Sequence, residues 1–263
     1  MPDWTSTVEI KRDHSVAVAF LWMSIGIALY DHVRFASFDW SILAGQRDRR
    51  WPQLFYFGAK LSWWGYIAVS VAISYTTTEI NCQGMMDAVE IFMGLITTMC
   101  SALLACRTVC FWHGKARTII SVLLVILTTC LAAAWMVGVP DVTAVWVPGG
   151  SDDPWTSGAC AVTDVPMQYS AKYIVTIFFD FIVFALTLVG VVRMKSTSRI
   201  GELLVQQGAL YFIATFLVNA VITSLCLARL NPMMSLIAAV PSSCVSLLAA
   251  THLYVDLAEQ ALP

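Results

Sequence analysis

Residues 176–184 read TIFFDFIVF, the centre of a longer apolar run, 170–192, SAKYIVTIFFDFIVFALTLVGVV. A stretch of about 20 predominantly apolar residues is long enough to cross a bilayer as a helix. One carboxylate, Asp180, interrupts it. An ionised side chain at the centre of such a span costs about 2.5–3.5 kcal/mol on insertion scales, so an acid kept there is a candidate functional residue.

Composition extends this reading to the whole chain. Of 263 residues, 59% are hydrophobic and only 12% charged, an apolar excess that a soluble domain of this size could not cover. Lipid offers no partner for free backbone groups, so helices are the expected way across. Seven spans are expected: about 15–34, 53–75, 88–106, 118–139, 170–192, 207–228 and 233–255. The fold class is therefore all-α, a polytopic seven-helix bundle forming one domain over 1–263. The first span is too long for the apolar core of a cleaved leader and reads as a retained anchor. A tight turn around Arg229, Asn231 and Pro232 joins the last two spans.

Loop charge sets the expected orientation. Arg34, Arg47, Arg49, Arg50, Arg107, Lys115, Arg117, Arg193, Lys195 and Arg199 give ten basic residues on one side, against Lys11, Arg12 and Arg229 on the other. The poorer side gathers Glu79, Asp87, Asp141, Asp152, Asp153 and Asp164. This places the N-terminus outside or in a lumen and the C-terminus in the cytoplasm, in either the plasma membrane or the endoplasmic reticulum. A net charge of -2 gives no basic footprint for nucleic acid. The expected partners are the bilayer, a small lipophilic ligand or substrate, and a cytoplasmic signalling partner.

Of eight cysteines, Cys82 and Cys160 fall in loops on the oxidising side and are expected to pair, two free thiols being the alternative. Cys100, Cys106, Cys110, Cys130, Cys226 and Cys244 lie in spans or at their cytoplasmic ends, where thiols behave as small apolar residues. The loop 140–169, PDVTAVWVPGGSDDPWTSGACAVTDVPMQY, carries four prolines and the tryptophans Trp146 and Trp155. It reads either as an ordered lid pinned by the disulfide, without long secondary structure, or as a solvated connector.

Helical spacing gathers polar residues into stripes. Lys60, Trp63 and Ser70 share a face of the second span, and Glu90, Thr97 and Ser101 one of the third. Thr176, Asp180 and Thr187 share one in the fifth, Thr215, Asn219 and Thr223 one in the sixth. Asp180 and Asn219 lie about nine or ten residues below the outer ends of adjacent helices, near the midplane at about 1.5 Å per residue, so a hydrogen bond between them is feasible. The expected ligand-binding residues are Asp180, Asn219, Lys60 and Trp63. Asp180 reads as a packing residue, a ligand contact or a proton donor. Lys60 reads as a snorkelling or ion-paired lysine, and Glu90 as a solvated rim residue or, with Asp180, a candidate catalytic acid.

Absent motifs narrow the field. The sequence holds no HExxH, CxxC pair, phosphate loop or GxSxG. His14, His32, His113 and His252 are scattered without metal-ligand spacing, so neither metal nor cofactor is expected. The seventh span has no lysine for a retinal Schiff base.

The stretch ALYDHVRFASFDWSILAGQRDRRWPQLFYFGAK, residues 28–60, together with EINCQG, VWVPGG, FFDF and LYFIATFLVNAVITSLCLARLNPMMSLIAAVPSS, resembles a large family of orphan seven-helix membrane proteins of basidiomycete fungi. That resemblance implies a seven-helix bundle and no particular chemistry. The topology is also similar to that of G-protein-coupled receptors, with a cysteine near the third helix matched to one in the loop before the fifth. Arg107 in CRTVC lacks the acidic neighbour and following tyrosine of those receptors, and NPxxY is missing from the inner end of the seventh span. Two functions follow as expectations. One is a receptor-like protein that binds a small lipophilic ligand in the bundle and signals through basic cytoplasmic loops. The other is an integral-membrane enzyme, such as an acid-catalysed terpene or meroterpenoid cyclase using Asp180 and Glu90. A transporter ranks below both because no inverted repeat appears.

Overall fold

A computed structural model describes residues 7–47, 50–76, 78–148, 158–193 and 199–260, with backbone alone for 7, 8, 10, 11, 199–210, 259 and 260. Arg49, Asp152, Asp153, Trp155 and Lys195 lie outside the described residues. The chain is mostly helical: α1 (Thr7–Arg34), α2 (Ala36–Leu43), α3 (Pro52–Tyr75), α4 (Cys82–Cys110), α5 (Gly114–Val137), α6 (Tyr169–Arg193), α7 (Arg199–Ala228), α8 (Pro232–Leu236) and α9 (Ala239–Gln260). Strands β1 (Thr143–Pro148) and β2 (Gly158–Asp164) follow a short 3-10 turn after α5.

Among the described residues six segments are long and apolar enough to cross a membrane: Arg12–Arg34, Cys82–Cys110, Gly114–Asp141, Tyr169–Arg193, Tyr211–Ala228 and Pro232–Ala258. The expected second span, α3, has the length at 24 residues but not the hydropathy, because Lys60 and its tryptophans and tyrosines dilute its leucines and valines. Those polar and aromatic residues are turned inward. Tyr56, Lys60, Trp63 and Tyr66 are all buried, and α3 packs along α4. The contact is close at Gly65, where a Cβ would lie 2.5 Å from the Phe92 ring, in keeping with small residues letting membrane helices approach.

Helix α4 is the hub, packed on α3, α5, α6 and α9. Half of its span is buried, against 22% for α1, α5 and α7. The peripheral helices turn Leu29, Ile119, Val125, Phe178, Val192 and Leu217 outward, the side chains that lipid would solvate.

Local chemistry sets the helix ends. Asn81 caps α4 by accepting from the Gly84 amide at 3.0 Å. Asn231 caps α8 by accepting from the Met234 amide at 2.7 Å, and its own amide donates to Asp13 Oδ2 at 2.7 Å, tying the turn to α1. The tight turn expected between the last two spans is present, with Arg229 at φ 48°, an unusual backbone state for a non-glycine residue. The last expected span is broken into α8 and α9. Pro241 supplies no N–H for the Ile237 carbonyl and its ring crowds that carbonyl, so the helix parts at Ile237–Ala238.

Two segments depart from the sequence expectation. The chain between the first and second spans forms α2, with Phe38 and Ile42 buried and Trp40 and Leu43 exposed. The loop 140–169 is not free of regular structure: β1 and β2 pair antiparallel, with Trp146 opposite Cys160, so the fold is helical with one hairpin instead of all-α. At Gly158, φ is 131° and a Cβ would meet the Trp146 ring, so only glycine suits that position.

Candidate functional site

The cavity that matters most lies at the hairpin end. It is about 200 Å³ and is walled by α1, α3, α4, α8, the start of α9 and the hairpin itself. Most of the wall is apolar, including Leu21, Met86, Val89, Met93, Leu236 and Val240. Its roof is covalent. Cys82 and Cys160 form a disulfide with Cα atoms 5.6 Å apart, the pair expected from the sequence, and both line the cavity. Gln83, next to Cys82, adds a non-covalent clasp. Its side-chain amide donates to the Val142 carbonyl at 3.0 Å while its oxygen accepts from the Ala144 amide at 3.0 Å, so one glutamine mimics a strand partner for the root of β1.

Glu90 forms part of the cavity wall. The expected solvated rim position is overturned: Glu90 is 2% exposed, and its Oε2 accepts from Lys172 Nζ at 2.5 Å. The Tyr169 hydroxyl donates to Oε1 at 2.9 Å and lies 3.2 Å from the Tyr173 hydroxyl. Lys172 Nζ also sits 3.8 Å from the centre of the Tyr169 ring and 4.8 Å from that of Trp135, where the negative ring faces favour a cation. With side chains 3% and 2% exposed, the pair is dry and internally neutral. Isolated, either charge would be prohibitive among apolar helices; hydrogen-bonded together, each satisfies the other.

The four residues expected to bind a ligand are not gathered in one place. Asp180, on α6, is 6% exposed and lines a separate cavity of about 40 Å³ with Arg107, Thr187, Tyr211 and Thr215. Its Oδ1 has no hydrogen-bond partner among the described residues. Asn219 does not meet it: its Oδ1 accepts from the Ser242 hydroxyl at 3.0 Å, which joins α7 to α9 instead. Helical rotation decides the difference, since equal depth brings two residues level but does not turn them toward each other. Lys60 lies at the end away from the hairpin, where its ammonium reaches Asp39 Oδ2 and the Tyr56 hydroxyl, each at 2.6 Å. It is ion-paired, and Asp39 comes from α2, the element not foreseen in sequence. Trp63 is fully buried and packs on Tyr66 with ring centres 5.7 Å apart; it lines neither cavity.

Sequence reasoning passed over Lys172, Tyr169, Tyr66 and Gln83. One signal was available: Lys172 and Glu90 are opposite charges inside apolar spans, and each lacks a compensating charge within its own helix turn. Among the described residues no group of three or more His, Cys, Asp or Glu side chains is placed to hold a metal ion. No protein-family model matches the chain, and no curated protein matches it.

Proposed function

We propose that the chain is a seven-helix, receptor-like membrane protein of the fungal kind it resembles. It binds a small lipophilic molecule in the cavity beneath the disulfide-pinned hairpin, and it signals through the basic loops at the other end of the bundle. The observation that carries this reading is the partly open, mostly apolar cavity of about 200 Å³ roofed by the Cys82–Cys160 bond. Ligand pockets are concave and largely apolar with a few convergent polar groups, and this one is smaller than those that hold drug-sized molecules.

Helix α3 serves as the second of the seven spans. Its 24 residues reach about 36 Å at 1.5 Å per residue, longer than a hydrocarbon core of about 30 Å. Its inward polar face explains the lower hydropathy. The hairpin end faces outside or the lumen, in accord with the disulfide and the scarcity of Lys and Arg there. At the opposite end, Arg193 sits 5.4 Å from the centre of the Trp112 ring, and His252 on α9 bonds Asp31 on α1. These contacts tie helix ends together where a signalling partner would dock.

Two experiments test the reading. Cysteines introduced at Asp164 and Ser37 are labelled in intact cells with an impermeant maleimide: Asp164→Cys reacts at once and Ser37→Cys only after permeabilisation, and the reverse order overturns the orientation. A thermal-shift screen of lipophilic molecules against the protein in nanodiscs finds stabilising compounds, and Val89→Phe, which fills the cavity, removes the shift. A screen in which no compound raises the midpoint overturns ligand binding.

A second reading, the intramembrane cyclase, is favoured by one observation, the partnerless Asp180 oxygen facing a cavity. Such chemistry needs a carboxylic acid held protonated and shielded from water. It ranks second because that cavity, about 40 Å³, has no room for a prenylated substrate, and because Glu90 is engaged by Lys172 and Tyr169. Product formation from a prenylated substrate, lost in Asp180→Ala, would reverse the ranking.

A further inference from the structure

The cavity beneath the hairpin is selective in the kind of polar group it leaves open. The carboxylate among its described lining residues, Glu90, already accepts from Lys172 and Tyr169, so the wall carries no uncompensated charge at that point. Ser70 and Ser74 donate their hydroxyl protons to the carbonyls of Tyr66 and Ser70, both at 2.8 Å, leaving only their lone pairs to face a guest. Tyr66 differs. It is 2% exposed and lines the cavity, and its hydroxyl has no hydrogen-bond partner among the described residues. A phenol O–H on a largely apolar cavity wall, with no acceptor among the described residues, is a donor that a guest can engage.

Resting on the ligand-binding reading above, we propose that the guest is an uncharged apolar molecule bearing one oxygen acceptor, a ketone or an alcohol. That oxygen accepts from the Tyr66 hydroxyl while the carbon skeleton lies against Leu21, Met86, Val89, Leu236 and Val240. The chemistry of the wall disfavours the alternatives. A carboxylate would bring a second negative charge beside Glu90 and find Lys172 already engaged, with the exposed His14 imidazole the other basic group on the wall. An ammonium would have to compete with Lys172 for the same oxygens. A hydrocarbon would leave Tyr66 unsatisfied. An alcohol fits as well as a ketone because its O–H can donate a hydrogen bond to a serine hydroxyl oxygen.

The test uses the full chain in nanodiscs and four probes of one length: 2-octanone, n-octane, octanoate and octylammonium. Binding is read as the concentration dependence of the thermal midpoint, each probe corrected for its partition into empty nanodiscs. The expected order has 2-octanone binding at least fivefold more tightly than the other three. Tyr66→Phe keeps the ring packed on Trp63 and weakens 2-octanone about five- to tenfold, the effect of one lost hydrogen bond, while leaving n-octane unchanged. Equal binding of 2-octanone and n-octane, or of 2-octanone to wild type and Tyr66→Phe, overturns the acceptor proposal but leaves a lipophilic site in place. Preference for either ion overturns it also. If no probe binds, and Val89→Phe does not alter the response to any of them, both the proposal and the ligand-binding reading fall. Should Tyr66→Phe not fold, the comparison of 2-octanone with n-octane on the wild-type chain decides alone.

Discussion

The ion pair between Glu90 and Lys172 makes a prediction with opposite signs for single and double variants. Both side chains are almost fully buried, 2% and 3% exposed, in helices 82 residues apart in sequence. Replacing Lys172 by Met leaves a carboxylate in a dry site with only the Tyr169 hydroxyl for company. Replacing Glu90 by Leu leaves an ammonium between two aromatic rings. Breaking a buried pair on one side costs about 3–5 kcal/mol, and the bilayer setting does not soften this, since a lone charge in a span costs about 2.5–3.5 kcal/mol by itself. Replacing both partners removes the desolvation of two ions along with their attraction, so the double variant is expected within about 1 kcal/mol of wild type. The loss of an acceptor for Tyr169 adds about 1 kcal/mol at most, because the Tyr173 hydroxyl at 3.2 Å can take over. The assay is unfolding of purified protein in mixed micelles by SDS titration, for wild type, Glu90→Leu, Lys172→Met and the double variant. A coupling of about 3 kcal/mol or more is the expected result. Single effects below about 1 kcal/mol each, adding in the double variant, would refute the description of the pair as dry and mutually dependent.

Other positions give sharper single readouts. The Cys82–Cys160 bond closes a loop of 78 residues, worth up to about 4.5 kcal/mol by chain entropy, so Cys82→Ser or reductant lowers the thermal midpoint and abolishes the stabilisation by cavity ligands; an unchanged midpoint would show the roof to be dispensable. Asp180→Asn is expected to leave stability unchanged or raise it, since the carboxylate oxygen it replaces has no partner among the described residues, and a loss above about 1 kcal/mol in the same titration would argue against that. Gly65→Ala drives a Cβ into the Phe92 ring at 2.5 Å. Overpacking costs about 1–3 kcal/mol, and the better helix propensity of alanine returns about 1, for a net loss near 1 kcal/mol. Gly26→Ala, with nothing within 4 Å, is expected to show only the gain.

What the sequence made legible follows from the range over which each signal acts. A span is a property of consecutive residues, so the apolar runs of α1, α4, α5, α6, α7 and α8–α9 could be read directly. The pairing of Cys82 with Cys160 was legible by elimination, because the loop charges assigned only those two thiols to the oxidising side. Helix α3 was read as a span, yet its composition is that of a helix covered by neighbours, and hydropathy loses force for such a helix. Rotation about the helix axis was the part that could not be read. Asp180 and Asn219 were correctly placed inside their helices, but Asn219 turns to Ser242 on α9, a choice fixed by how three helices pack. Lys172 went unnoticed because a lysine near the start of a span passes for an interfacial anchor; the burial that makes it a partner for Glu90 depends on α4 and α5. The hairpin was hidden by its prolines and glycines, which are turn formers that also bound short strands.

The order in which the chain is synthesised gives the Glu90–Lys172 pair a last implication. Helix α4 leaves the ribosome before α6, so its glutamate reaches the bilayer when the lysine that neutralises it has not yet been made. The span Cys82–Cys110, mean hydropathy 1.9, must carry that acid without its partner for the interval. Insertion into a bilayer would thus pass through a stage in which Glu90 lacks its lysine partner and is carried most cheaply as the neutral acid, and the arrival of α6 would end it. A truncated nascent chain stopping before residue 169 should therefore be held longer by the insertion machinery than one that includes Lys172.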